Sequence, residues 1–175
     1  MRVAILTISD SVVRGVRDDT SGRAIAEWCA KRGDTVVMKD KVSDETSEIA
    51  RWLVVTCDTS DVDLILTTGG TGLAQRDVTP EATRAVIERD APGIAERLRV
   101  SCIDSFPRAA LSRGVSGVRG VTLIVNLPGS TSGVTDALAA LDPIVTHACD
   151  VLSGRVTQHG AGEAGIPESS SEKAR

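Results

Sequence analysis

Asp77 follows a glycine turn in the stretch DLILTTGGTGLAQRDVTPE, from Asp63 to Glu81. Gly69, Gly70 and Gly72 allow the backbone to turn sharply and place no Cβ in the way of a ligand. With Thr71 between them, the turn can offer bare N–H groups to an anion. A lone carboxylate beside such a turn suits phosphate chemistry, because oxygen ligands hold a hard cation such as Mg2+ against the phosphate charge. Leu64, Ile65 and Leu66 lead into the turn as a buried strand. Thr79 reads as a helix N-cap, with Pro80 at the first helical position and Glu81 in the first turn. That leaves Asp77 in the loop, where a purely structural account would make it a local Asx turn.

Two further loops carry residues of the same kind. NLPGSTSG, from Asn126 to Gly133, places a Pro128-Gly129 turn before three hydroxyl residues at a helix start, where orphan N–H groups and the helix dipole suit a phosphate. TISDSVVRGVRDDTSG, from Thr7 to Gly22, mixes hydroxyls with Asp10, Asp18, Asp19, Arg14 and Arg17 and by itself reads as a solvated loop. Asp44, in VSDET, is a second carboxylate candidate, although an acid in a first helical turn is stabilising without any catalytic role. The pattern GxxxxGK[ST] is absent because no lysine follows the glycines, and GxGxxG fails because Gln75 occupies its last position. His147 and His159 have no partner at nucleophilic or metal-binding spacing.

Apolar runs at residues 3–8, 35–40, 63–68 and 121–127 alternate with helical segments and predict the βαβ rhythm of a parallel sheet. The expected fold is α/β, a three-layer α/β/α sandwich with a mostly parallel central sheet. Ile25, Trp28 and Cys29 share one helical face between the first two runs, with Thr20 or Ser21 as cap and Gly33 as stop. A second helix opens at Ser43 and puts Ile49, Trp52 and Leu53 on one face. Two or three helical pieces punctuated by Pro92 and Pro107 follow, then a hairpin, then a helix broken or restarted at Pro143. In an open sheet of this kind ligands bind outside the carboxyl ends of the strands, where the three loops lie.

The chain of 175 residues is 41% hydrophobic, enough for one domain, expected over residues 1–154. Residues 155–175 read as a flexible tail, polar and aperiodic from Gly160 onward. A net charge of −4 and three aromatic residues, Trp28, Trp52 and Phe106, argue against nucleic-acid binding. No run approaches the roughly 18 apolar residues of a membrane span, and MRVAILTISD lacks the apolar core of a signal peptide, so a soluble cytoplasmic protein is expected. The four cysteines have no metal-ligand spacing and read as reduced core thiols.

TTGGTGLAQRDVTPEAT, LSRGVSGVRGVTLIVNLPGS and the N-terminal LTISDS with DDTSG resemble the molybdopterin adenylyltransferases of molybdenum cofactor biosynthesis, and the corresponding domain of gephyrin. The resemblance spans about Arg2 to Gly154. It implies attack by a terminal phosphate of molybdopterin on the α-phosphate of Mg2+-bound ATP, with pyrophosphate released. By motif position it assigns Asp44 and Asp77 to catalysis and to Mg2+. It gives Gly69, Gly70, Thr71 and Gly72 contacts to pterin phosphate or nucleotide, and Asn126, Pro128, Gly129 and Ser130 a part in the nucleotide pocket. Ser9 and Asp10 match the first-strand loop, with Ser112 and Arg113 as further candidates. It also implies a homotrimer. Gln75 departs from a frequent proline, and Thr131 and Ser132 replace the Pro-Lys that many members carry after NLPGS. A non-catalytic pterin-binding or scaffold protein of the same fold is the alternative, whereas metal insertion belongs to relatives with much longer chains.

Overall fold

β1 (Arg2–Ile8), β3 (Leu64–Thr68) and β6 (Thr122–Leu127) bury every residue except Arg2, so each reads as a continuous apolar run instead of an alternation. The computed structural model describes residues 1–104 and 106–156. Three further strands, β2 (Thr35–Val42), β4 (Arg89–Asp90) and β5 (Ser116–Arg119), complete one sheet in the order β2-β1-β3-β6-β5-β4. The first four strands run parallel, while β5 and β4 add antiparallel at the far edge. The expected hairpin joins β5 to β6 through Gly120 and Val121, and Gly120 supplies the positive φ of 58° that such a turn favours.

Helices cover both faces and give the expected three layers. On one side α2 (Thr20–Arg32), α5 (Pro92–Ile103) and α6 (Thr131–Leu152) pack Ile25, Leu98, Leu138 and Leu141 against Val3, Ile5, Leu66 and Val125. On the other, α3 (Thr46–Thr59) and α4 (Thr79–Arg84) pack Ile49, Leu53 and Ala82 against Leu6, Ile65 and Ile124. The short α1 (Asp10–Val13) lies in the loop after β1, and Pro107–Leu111 form a 3-10 turn after α5. Pro92 and Pro107 stand at helix starts, where a missing N–H costs nothing.

Four expectations about helix ends are corrected. The cap of α2 is Asp19, whose carboxylate accepts the Gly22 N–H, one residue before Thr20; Gly33 ends the helix at φ 75° as expected. α3 begins at Thr46, not Ser43, so Asp44 precedes the helix and lies outside its first turn. Val78, not Thr79, occupies the cap position of α4. α6 passes through Pro143 without a break, because the ring sits on the exposed side, where water can take the carbonyl it leaves unpaired.

Cys29, Cys57, Cys102 and Cys149 form no disulfide. Burial pushes the Cys29 and Cys57 thiols up to about 11 and Cys149 to about 12, as inert core thiols require. No described helix is long and apolar enough to cross a membrane. The tail expected from residue 155 lies almost wholly outside the described residues, as does His159.

Candidate active site

The parallel strands β1, β2, β3 and β6 end on one edge of the sheet, and their carboxyl-end loops meet there. The turn after β3 is forced by its glycines. Gly69 and Gly70 have φ of 99° and 62°, and a Cβ on Gly69 would lie 2.2 Å from the Ile8 carbonyl oxygen. On Gly70 it would lie 2.4 Å from Thr79 Oγ1 and 3.3 Å from Asp44 Oδ1. Thr79, wholly buried, holds the turn instead of capping α4: its Oγ1 donates to Gly69 O at 2.8 Å and its N–H to Gly70 O at 3.1 Å. The N–H groups of Thr71 and Gly72 make no hydrogen bond among the described residues and remain available to an anion.

Arg113 braces the turn from behind. Its N–H donates to Thr71 O at 2.8 Å, Nε to Gly72 O at 2.7 Å and Nη2 to Asp77 O, while Nη1 pairs with Glu81 Oε1 at 2.5 Å. The guanidinium is therefore committed to protein groups and shapes the turn. Asn126, only 4% exposed, is also occupied: Nδ2 donates to Thr67 Oγ1 at 2.9 Å and Thr83 Oγ1 at 3.0 Å, and Oδ1 accepts the Val115 N–H at 3.2 Å. It ties β3, α4 and the residue before β5 to β6 beneath the site.

The loop after β6 packs directly on the glycine turn. Thr68 Oγ1 donates to Pro128 O at 2.6 Å, and a Cβ on Gly129 would approach Gly69 Cα to 3.2 Å. Ser130 caps α6 by accepting the Gly133 N–H at 3.2 Å. Between this helix start and the glycine turn opens a cavity of about 290 Å3. Gly70, Thr71, Gly72, Asp77, Pro128, Gly129, Ser130, Ser112 and Asn126 line it, Leu98, Phe106, Leu111 and Ala137 give it an apolar wall, and Arg99, Arg108 and Asp136 add charge. A chamber that mixes apolar wall with backbone N–H groups and basic side chains suits a heterocycle carrying phosphate.

Ser9, Asp10 and Asp44 stand outside that lining, in an adjoining group. Ser9 caps α1 through Oγ, which accepts the Val12 N–H at 3.4 Å and shares a hydrogen bond with Ser11 Oγ. Asp44 Oδ2 accepts the Asp10 N–H at 2.8 Å, and Asp10 Oδ1 accepts the Asp44 N–H at 3.2 Å. Arg76 then bridges Asp10 and Glu45. Partial burial would raise the Asp10 carboxyl, but the Asp44 N–H and the Arg76 guanidinium outweigh it and hold Asp10 below its ordinary range. Asp44 is raised, first by burial and then by the neighbouring charges of Asp10 and Asp77, which overcome the Asp10 N–H and Arg76.

Asp77 belongs to both groups. Its Oδ2 accepts the Ala74 N–H at 2.8 Å, the Asx turn that its position in the sequence allows, and lies 2.8 Å from where a Cβ on Gly72 would stand. Oδ1 of Asp77 and Oδ1 of Asp44 accept no hydrogen bond among the described residues. The described residues contain no cluster of three or more His, Cys, Asp or Glu arranged to hold a metal. Two carboxylates nonetheless fit Mg2+, which keeps waters and phosphate oxygens in place of an all-protein cage. Arg76, Glu45 and the anchoring role of Thr79 were beyond sequence reasoning, since only the fold brings residues from three loops together.

A mostly parallel open sheet with a glycine turn, a helix start and two carboxylates at its strand ends is an arrangement suited to small phosphorylated ligands. Residues 4–147 match the family described as "Probable molybdopterin binding domain", and the chain belongs to that family. It is 36% identical over 160 residues to a Helicobacter pylori (strain J99) protein named molybdopterin adenylyltransferase, covering 90% of this chain and 91% of that one. The molybdopterin adenylyltransferase of Escherichia coli (strain K12) is 38% identical over 162 residues, 91% of this chain and 79% of that one. The crystal structure of the molybdopterin biosynthesis enzyme MoaB from Thermus thermophilus aligns with a TM-score of 0.83 and 49% identity, over 87% of this chain and 96% of that one.

Proposed function

We propose that this chain adenylylates molybdopterin as a step of molybdenum cofactor biosynthesis. An oxygen of the terminal phosphate of molybdopterin attacks the α-phosphorus of ATP; the bond from that phosphorus to the β-bridging oxygen breaks, and pyrophosphate leaves with the electron pair. Transfer of this kind needs positioning and charge neutralisation more than a protein nucleophile. One observation carries the reading: Asp44 and Asp77, from different loops, face opposite ends of the Gly70–Gly72 turn, each with one carboxylate oxygen unused by the protein.

The residues have separable tasks. The N–H groups of Thr71 and Gly72 and the start of α6 would hold phosphate oxygens, and the apolar wall would hold a ring system. Asp44 and Asp77 would bind Mg2+, which supplies positive charge to the phosphates when bound. Arg113, Thr79 and Asn126 keep the turn rigid from behind. We place the reaction in the cytoplasm and assign the chain to a homotrimer, which light scattering tests directly. The activity is tested by supplying molybdopterin, Mg2+ and ATP and measuring pyrophosphate. Release that requires all three is expected; pterin binding without release would replace the enzyme by a pterin-binding scaffold.

A further inference from the structure

Beside the site carboxylates stands an arginine to which the reaction assigns no part. Arg76 precedes Asp77 in the loop between β3 and α4, and its side chain is 54% exposed. Its Nη2 donates to both Asp10 oxygens, at 3.0 and 2.8 Å, and its Nη1 to Glu45 Oε1 at 2.7 Å. Asp10 follows β1 and Glu45 follows β2, so one guanidinium spans three strand ends. Asp10 in turn is locked to Asp44 by the two reciprocal backbone hydrogen bonds. With both Asp10 oxygens and Asp44 Oδ2 engaged, the remaining oxygen of Asp44 is the one on the side of Gly70.

We propose that Arg76 is a positioning residue for the adenylyl transfer, acting on Asp44 through Asp10. The inference rests on the activity proposed above. Asp44 and Asp77 flank one turn, at Gly70 and Gly72, and Asp10 is hydrogen-bonded to Asp44 behind them, so acidic groups are crowded around Asp44. Arg76 sets one positive charge against them and fixes Asp10 in the orientation that captures the Asp44 N–H. It does so from the rim and does not line the cavity where the phosphates would lie. Lysine would supply the charge at a single nitrogen and could not hold Asp10 and Glu45 with separate donors.

The test is a double-mutant cycle in the full chain with R76A, D10A and the double variant, and with R76K alongside. Each single variant is expected to lower kcat by at least about tenfold while leaving KM for ATP within about threefold. The double variant is expected to lose no more than the worse single, because both act on one link. R76K recovers only part of the loss. Multiplying losses in the double variant, or a raised KM with kcat intact, would mean that Arg76 acts on substrate independently of Asp10 and would overturn the proposal. Thermal melting controls for folding, since an exposed pair of this kind contributes little to stability. Crystal structures of wild type and R76A provide a readout separate from turnover. The Asp44 carboxylate should turn away from Gly70 in R76A; an unmoved Asp44 rejects the positioning role whether or not the wild type adenylylates, and an inactive wild type rejects only the activity.

Discussion

Asp10 and Asp44 each accept the backbone N–H of the other, at 3.2 Å into Asp10 Oδ1 and 2.8 Å into Asp44 Oδ2. This pair joins the ends of β1 and β2 and brings two carboxylates together at the mouth of the site. Such an arrangement opposes stability unless a cation compensates it, and Arg76 does so for Asp10 more than for Asp44. Sites built for charged ligands commonly carry this kind of strain.

Asp44→Asn is therefore expected to stabilise the protein at neutral pH. The Asp44 carboxyl is raised above its ordinary 3.8, so between that value and the folded one the folded chain keeps a proton that the unfolded chain has lost. Its unfavourable contribution is absent below about pH 3.8, grows as pH rises through the folded value, and is complete above it. Asparagine can still accept the Asp10 N–H. Melting curves should show Asp44→Asn about 1–3 °C above wild type at pH 7 and level with it at about pH 3.5. A variant that melts lower at pH 7 would count against crowded carboxylates.

Asp77→Asn is expected to keep the fold and the pterin but lose turnover. The amide oxygen can still accept the Ala74 N–H, so the loop survives, whereas the charge is gone. A fall in kcat of at least about 100-fold, with the pterin Kd within about threefold, is the expected pattern in single-turnover and binding assays. Unimpaired turnover would remove Asp77 from the chemistry.

Gly70→Ala should damage the site twice over. Alanine at φ 62° is strained, and its methyl would stand 2.4 Å from Thr79 Oγ1, which its bond to Gly69 O prevents from yielding. The loss expected in urea denaturation is about 1–3 kcal/mol. Gly15→Ala has a similar φ of 71° but open space around it, and should cost visibly less. Equal losses would show that the contact with Thr79 is unimportant.

Asn126→Ala is expected to cost about 2–4 kcal/mol, by leaving the Thr67 and Thr83 hydroxyls and the Val115 N–H without partners in a buried setting. Chemical denaturation measures this directly. A loss below about 0.5 kcal/mol would mean that Asn126 serves the ligand and not the framework.

The strands and the glycine turn were legible from sequence because strands buried on both faces leave unbroken apolar runs, and because positive φ demands glycine. Helix starts were less so. Thr79 has the residue type of a cap, but its hydroxyl is drawn to Gly69 O by the packing of the turn, and no local pattern announces that competition. Asp44 was expected in a first helical turn, where its charge would need no further reason; a helix that starts three residues later makes it a loop carboxylate that faces Gly70. Arg113 was expected at the ligand, because a motif marks position and not direction, and its guanidinium points into the backbone of residues 72–77. The Arg76 bridge joins residues 66 and 31 positions apart, a relationship that only strand order creates.

The central claim is that the site transfers an adenylyl group between two bound phosphates. Protein, Mg2+ and molybdopterin are to be incubated with ATP labelled at the α-phosphate, and in parallel with ATP labelled at the γ-phosphate. Label from the α position should appear on the pterin and label from the γ position in pyrophosphate, and both transfers should fail in Asp77→Asn. Pterin that stays bound and unlabelled while ATP remains intact would contradict the claim.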